Sequence, residues 1–236
     1  MMQDHPLESL EDRILGKYRL HLRRLKPLRL SGWRGFALAL RDSAGTLFEP
    51  PLVEGIYSAG GRDNVKPWMD ITVAEILEGR AGRRINLRQA GLMHELFQSL
   101  LAALIPPGGH LMLSYEGGQP LQRETDQALS AGVPPLLTPF GLLLFMSGFR
   151  LVKNWYLAEG GGHEGPRKLW GEKPPDKSWS VRWDQATARE LLQYLKDHQE
   201  TAVLAETAQR ILSSLEIADA DLRRRVENFS PLTNKA

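Results

Sequence analysis

Glu78-Gly79-Arg80-Ala81-Gly82-Arg83-Arg84-Ile85-Asn86-Leu87-Arg88-Gln89-Ala90-Gly91-Leu92-Met93 joins a strand-like stretch to the most regular helical pattern in the chain. Beyond it Leu92, Leu96, Leu100 and Leu104 recur every four residues, flanked by Met93, Phe97 and Leu101, with His94, Glu95, Gln98 and Ser99 on the other side. That period predicts an amphipathic helix with a wide apolar stripe, stopped by Pro106-Pro107-Gly108-Gly109. The junction holds three glycines and four arginines. A helix start of this kind offers free backbone N–H groups and the positive end of the helix dipole to an anion. Glycine lets a phosphate come close, and arginine adds bidentate contacts. An ordinary basic loop with glycine at its bends is the competing reading.

On the amino-terminal side, residues 7–15 read as a short helix, and residues 18–23 alternate polar and apolar as a half-buried strand does. Residues 36–40, 52–57 and 68–76 are three further strands, separated by turn chemistry at Asp42-Ser43-Ala44-Gly45 and Gly60-Gly61-Arg62-Asp63-Asn64. Successive hairpins of this sort predict an antiparallel meander. After the long helix, residues 110–116 read as a strand, so strand, helix and strand form a crossover with a parallel pair in a mixed sheet. Residues 150–158 and 167–170 read as a final hairpin, with a linker at 171–180. Leu191, Leu192, Leu195, Val203, Leu204, Ile211, Leu212, Leu215, Leu222 and Val226 then predict two or three helices in a carboxy-terminal extension. The expected organisation is an α/β domain of the α+β type over 1–183, with a mostly antiparallel mixed sheet flanked by helices, and a helical extension over 184–236 packed on it.

This order of elements resembles the GNAT N-acetyltransferase superfamily over about residues 18–170. Arg88-Gln89-Ala90-Gly91-Leu92-Met93 is similar to the family's Arg/Gln-x-x-Gly-x-Gly/Ala motif, matching at Arg88 and Gly91 and departing at Met93. Ser147-Gly148-Phe149-Arg150 resembles its Gly-Phe signature before the last strands. Residues 117–139 look like an insertion relative to that family pattern. The resemblance implies an acyl-CoA-dependent N-acyltransferase, with acetyl-CoA or another acyl-CoA as cofactor and a small-molecule or peptide amine as acceptor. Arg83, Arg84 and Arg88, with Gln89, Ala90, Gly91, Leu92 and Met93, would then hold the cofactor phosphates. The family places the thioester between the strands flanking the long helix, which makes Asp70, Tyr115 and Glu116 the catalytic candidates, Glu116 as base and Tyr115 as acid. Two residues depart from that pattern. Leu144 stands where many members have the acid tyrosine, and Met93 brings a large side chain to the helix start. A GNAT-like binding or regulatory module without catalysis is therefore the alternative. The sequence is also similar to bacterial and archaeal proteins of unknown function related to this fold.

Composition narrows the classes. The chain has 236 residues, 42% of them hydrophobic, 25% charged and none cysteine. Disulfides, cysteine-ligated zinc and thiol nucleophiles are excluded. Its six histidines show no metal-ligand spacing, so no metal is expected. No charged residue lies between Asp126 and Arg150, but Pro134, Pro135 and Pro139 divide that run, which reads as a short buried helix after a proline-rich loop. With no secretory pattern at the start, the expected setting is cytoplasmic, without a membrane. Net charge is only +2, yet residues 13–41 hold nine Lys and Arg and no Asp or Glu. That run allows an RNA- or nucleotide-associated reading, although nucleic acid is not the expected partner and pairing with acids elsewhere is the simpler expectation. Surface apolar positions on the last helices permit a homodimer.

Overall fold

Alternation and turns in the first half produce the expected meander: β1 (Ile14–Leu15), β2 (Tyr18–Arg24), β3 (Trp33–Arg41), β4 (Val53–Ser58) and β5 (Trp68–Val73) pair antiparallel in sequence order. The computed structural model describes residues 6–25, 33–60, 66–115, 118–154, 168–198 and 202–229. Residues 7–15 are not one helix. A 3-10 turn at Pro6–Leu10 precedes β1, because Leu7 and Leu10 already reach the core and Asp12 then takes a positive φ of 57°. The run at 68–76 is likewise broken. β5 ends at Val73, and β6 (Ile76–Glu78) pairs instead with β7 (Arg84–Asn86), so the arginine-rich junction contains a small hairpin of its own.

The period-four leucines form α1 (Leu92–Leu104). From there the chain enters β8 (His110–Ser114), which lies parallel to β5, with Trp68 opposite His110 and Thr72 opposite Ser114. β10 (Lys168–Glu172) pairs antiparallel with β8, and β9 (Leu151–Asn154) closes the edge. The eight-stranded order is β1-β2-β3-β4-β5-β8-β10-β9, and β5–β8 is its one parallel pair. The fold is thus mixed α/β with a large, mostly antiparallel sheet. The tip expected between β9 and β10, with Trp155 and Gly160-Gly161-Gly162, lies outside the described residues.

One sheet face builds the main core. Phe36, Leu38, Leu40, Val53, Met69, Ile71, Val73, Leu111 and Leu113 pack with Leu96, Phe97 and Leu100 of α1. The stretch expected to be an insertion belongs to the same core. It forms α2 (Pro120–Ser130), which contributes Leu121, and leads to α3 (Pro139–Met146), which contributes Phe140 and Leu144. Thr138 caps α3 by accepting the Gly141 N–H at 3.2 Å. No helix among the described residues is long and apolar enough to cross a membrane.

The opposite face carries a row of aromatics, Trp33, Trp68 and Trp170, meeting edge to face at 5.1 and 5.8 Å, with His110 beside Trp170 at 5.0 Å. Trp170 joins this row, while Trp179 and Trp183 neighbour each other in α4 (Lys177–Asp197). The linker expected at 171–180 shrinks to four residues, because β10 runs through Glu172 and Asp176 caps α4 by accepting the N–H groups of Ser178 and Trp179. A division at residue 183 falls inside α4. That helix, α5 (Ala202–Ser214) and α6 (Ala220–Glu227) form a second core with Leu136, Leu137 and Phe145.

Candidate active site

Where β5 and β8 part, the sheet opens into a cavity of about 610 Å³ lined by Glu54, Asp70, Thr72, Ser114, Gln122 and Lys168, among others. Alternation explains the lining. Met69, Ile71 and Val73 turn to the core, so Asp70 and Thr72 face the other way, and register aligns Glu54 with Thr72 and Lys168 with Ser114. The Lys168 ammonium donates to Asp70 Oδ2 at 2.5 Å, both side chains being largely covered. Glu54 is exposed and has no ion-pair partner among the described residues. Two carboxylates against one ammonium leave the cavity one negative charge in excess. Chemically, it can hold a cation.

The wedge beyond the cavity is occupied. Glu75, 2% exposed, accepts the Leu121 N–H at 2.8 Å, and Gln119 Oε1 accepts the Ile76 N–H at 3.1 Å. Gln122 Nε2 donates to the Val73 carbonyl at 3.1 Å. The start of α2 is thereby tied to the end of β5 through a reciprocal exchange: a strand-end carboxylate satisfies a helix N–H, and a helix-cap amide satisfies a strand N–H.

The residues expected to hold an anion at the start of α1 are engaged within the protein. Gln89 N–H donates to Asn86 Oδ1, Ala90 N–H to the Asn86 carbonyl, Gly91 N–H to the Arg88 carbonyl and Leu92 N–H to the Leu87 carbonyl. Gly91 supplies the turn with a φ of 71°. Arg88 reaches across to α2 and binds both oxygens of Glu124, at 2.7 and 2.8 Å. Met93 does not project into the loop but is buried in the main core. The three arginines also separate. Arg83 pairs with Asp42 and lies over the Phe48 ring, while Arg84 lines the same hollow as Arg83, away from Arg88.

Of the expected catalytic trio, Asp70 lies in the cavity. Tyr115 is buried and donates from its hydroxyl to Asn154 Oδ1 at 2.9 Å; Glu116 lies outside the described residues. Leu144 is fully buried in the core. Sequence reasoning missed Glu54, Lys168, Gln119 and Gln122. Alternation in β4 was signal enough to place Glu54 on the face opposite Val53. Lys168 carried none, since its position beside Asp70 depends on β10 inserting between β8 and β9. Within the long basic run, Arg23 pairs with Glu49, Arg24 with Glu8, and Arg41 with Asp12.

A single parallel pair in an otherwise antiparallel sheet, with a polar cavity where that pair separates, defines the class of α/β protein to which this chain conforms. Residues 16–198 match the family model described as protein of unknown function (DUF1122), and the chain belongs to that family. Its fold is similar to the crystal structure of a protein of unknown function from Aquifex aeolicus VF5, at a TM-score of 0.64 and 21% identity, covering 90% of this chain and 100% of that one. No curated protein matches the sequence.

Proposed function

We propose that this chain is a GNAT-like binding module for a small amine-bearing ligand, held in the cavity between Glu54 and the Asp70–Lys168 pair. The observation carrying this reading is Glu54, an exposed carboxylate without an ion-pair partner among the described residues, at the edge of a cavity large enough for a small organic ligand. An ammonium bound there completes the charge balance. Calorimetric titration with butylamine and 1,4-diaminobutane tests it. Saturable binding weakened about tenfold by Glu54→Gln is the expected result, one charge-assisted contact being lost. Absence of binding by a panel of mono- and diamines sinks the reading.

A second reading, acyl-CoA-dependent N-acyltransfer, is favoured by the strand order, since the parallel β5–β8 pair flanks α1 as the GNAT resemblance requires. Asp70, with Glu116 and Tyr115, would then serve proton transfer to and from an amine and a departing thiolate, and residues 83–93 would hold acetyl-CoA. Engagement of the N–H groups at 89–92, the Arg88–Glu124 pair and the filled wedge make the first reading the better supported. Titration with acetyl-CoA separates the two. Binding weakened by both Arg88→Ala and Gly91→Glu restores the transferase; no binding by the folded protein leaves the amine module. Pairing of Arg23, Arg24 and Arg41 with carboxylates takes support from an RNA-directed reading.

A further inference from the structure

Away from the amine cavity, a hollow of about 540 Å³ lies between the β1–β2 turn, the Asp42 turn and β7, lined by Lys17, Tyr18, Asp42, Phe48, Arg83 and Arg84 among others. Three cations face one carboxylate there, an excess of two positive charges. The carboxylate fixes one of the cations in place. Asp42 accepts the backbone N–H groups of Ala44 at 3.0 Å and Thr46 at 2.8 Å, and the carboxylate so anchored pairs with Arg83. Arg83 also lies over the Phe48 ring, 5.3 Å from its centroid. Its guanidinium is thus held before any ligand arrives, which lowers the ordering cost of binding. Lys17 is carried on the tight β1–β2 turn, where Gly16 has a φ of 57° and abuts Leu92 of α1. The Arg84 side chain is exposed, on a strand paired with β6, and makes no hydrogen bond or ion pair among the described residues. Tyr18, half-buried and edge-on to Phe48 at 5.6 Å, adds an aromatic wall.

We propose that this hollow is an anion site for a pyrophosphate-bearing small molecule of the nucleoside diphosphate type, with Lys17, Arg83 and Arg84 as its cationic ligands. An excess of two positive charges favours a polyanion over a singly charged ligand. Guanidinium groups contact phosphoryl oxygens in pairs, and Lys17 acts as a point charge. The volume exceeds what inorganic phosphate needs and suits a ligand with an organic part against Tyr18. The site stands independently of the amine reading, since the two cavities share no lining residue.

The test is titration of the full chain with ADP and with inorganic pyrophosphate at fixed ionic strength, followed by amide chemical shifts. Wild type is expected to bind both saturably, ADP more tightly, with shifts at Lys17, Tyr18 and Arg84. Lys17→Ala and Arg84→Ala are each expected to weaken binding about tenfold, the value of one charge-assisted contact, and Arg88→Ala to leave it unchanged. Both substituted residues are exposed, so circular dichroism should match wild type. No saturable binding by folded wild type overturns the proposal, as does a loss with Arg88→Ala equal to that with Arg84→Ala. A single-stranded RNA that displaces ADP with a steep salt dependence overturns it in favour of a nucleic-acid surface.

Discussion

His110 opens β8 with its ring against Trp170 and its Nδ1 3.7 Å from a Glu172 oxygen. Burial holds its pKa below the ordinary 6.5, Lys66 pushes the same way, and Glu172 opposes them. A histidine that titrates lower in the folded than in the unfolded chain takes up its proton later, so stability is lost as pH falls from about 6.5 through the folded value. Asp42, Asp176 and Asp219 titrate below 3.8 because backbone or side-chain N–H and O–H donors hold their charged forms. Their contribution is complete above 3.8 and is lost at more acid pH. Denaturant midpoints measured from pH 8 downward should therefore decline in two stages. His110→Gln should flatten the first stage and spare the second.

At the scale of elements, the tie between β5 and α2 converts the parting of two parallel strands into a fixed wedge. Glu75→Ala leaves the buried Leu121 N–H without its acceptor. Equilibrium urea unfolding should show a loss of about 2 kcal/mol at unchanged m-value, with Glu75→Gln recovering part of it through its amide oxygen. Gly141 in α3 tests another contact. A Cβ there would stand 1.8 Å from the Pro135 carbonyl oxygen, in a helix turn packed directly on the preceding 3-10 turn. Gly141→Ala should lower the thermal midpoint far more than a solvent-facing Ala substitution such as Gln127→Ala, because backbone must move to admit one methyl group.

For the molecule as a whole, α3 joins the two cores, giving Leu144 to one and Phe145 to the other, and Arg150 and Asp184 meet beside it. Asp184 in α4 is 2% exposed; its Oδ1 lies 3.3 Å from Arg150 Nε, and its Oδ2 accepts the Glu216 N–H at 2.9 Å. Burial pushes its carboxyl pKa up, and the Glu216 N–H and Arg150 pull it down. Arg150 also donates to the Phe145 carbonyl and lies over the Phe145 ring. Removing the carboxylate strands the arginine and an N–H together, so Asp184→Ala should cost about 3 kcal/mol. If the joint transmits cooperativity, tryptophan fluorescence and far-ultraviolet circular dichroism, coincident in wild type, should separate in this variant. Asp184→Asn, which keeps an acceptor for Glu216, should lose less.

The periodicities alone determined the meander, α1, the proline-bounded α3 and the helical carboxy-terminal end, because each is written in a local repeat of apolar residues that any packing must bury. The arginines and glycines of residues 78–93 were visible too, but not their partners. Glu124 and Asn86 claim groups that an isolated loop would offer to an anion at the start of α1, Asp42 fixes the direction of Arg83, and two of those three partners lie more than 30 residues away. Likewise, nothing local placed β10 between β8 and β9, and that insertion alone brings Lys168 to Asp70. Residues 117–139 looked inserted beside the family pattern, which says nothing of the core that a segment joins, and Leu121 of α2 packs in the main core. Side-chain partners, cavities and the division of charge between them arise from contacts distant in sequence, and only the tertiary structure decided them.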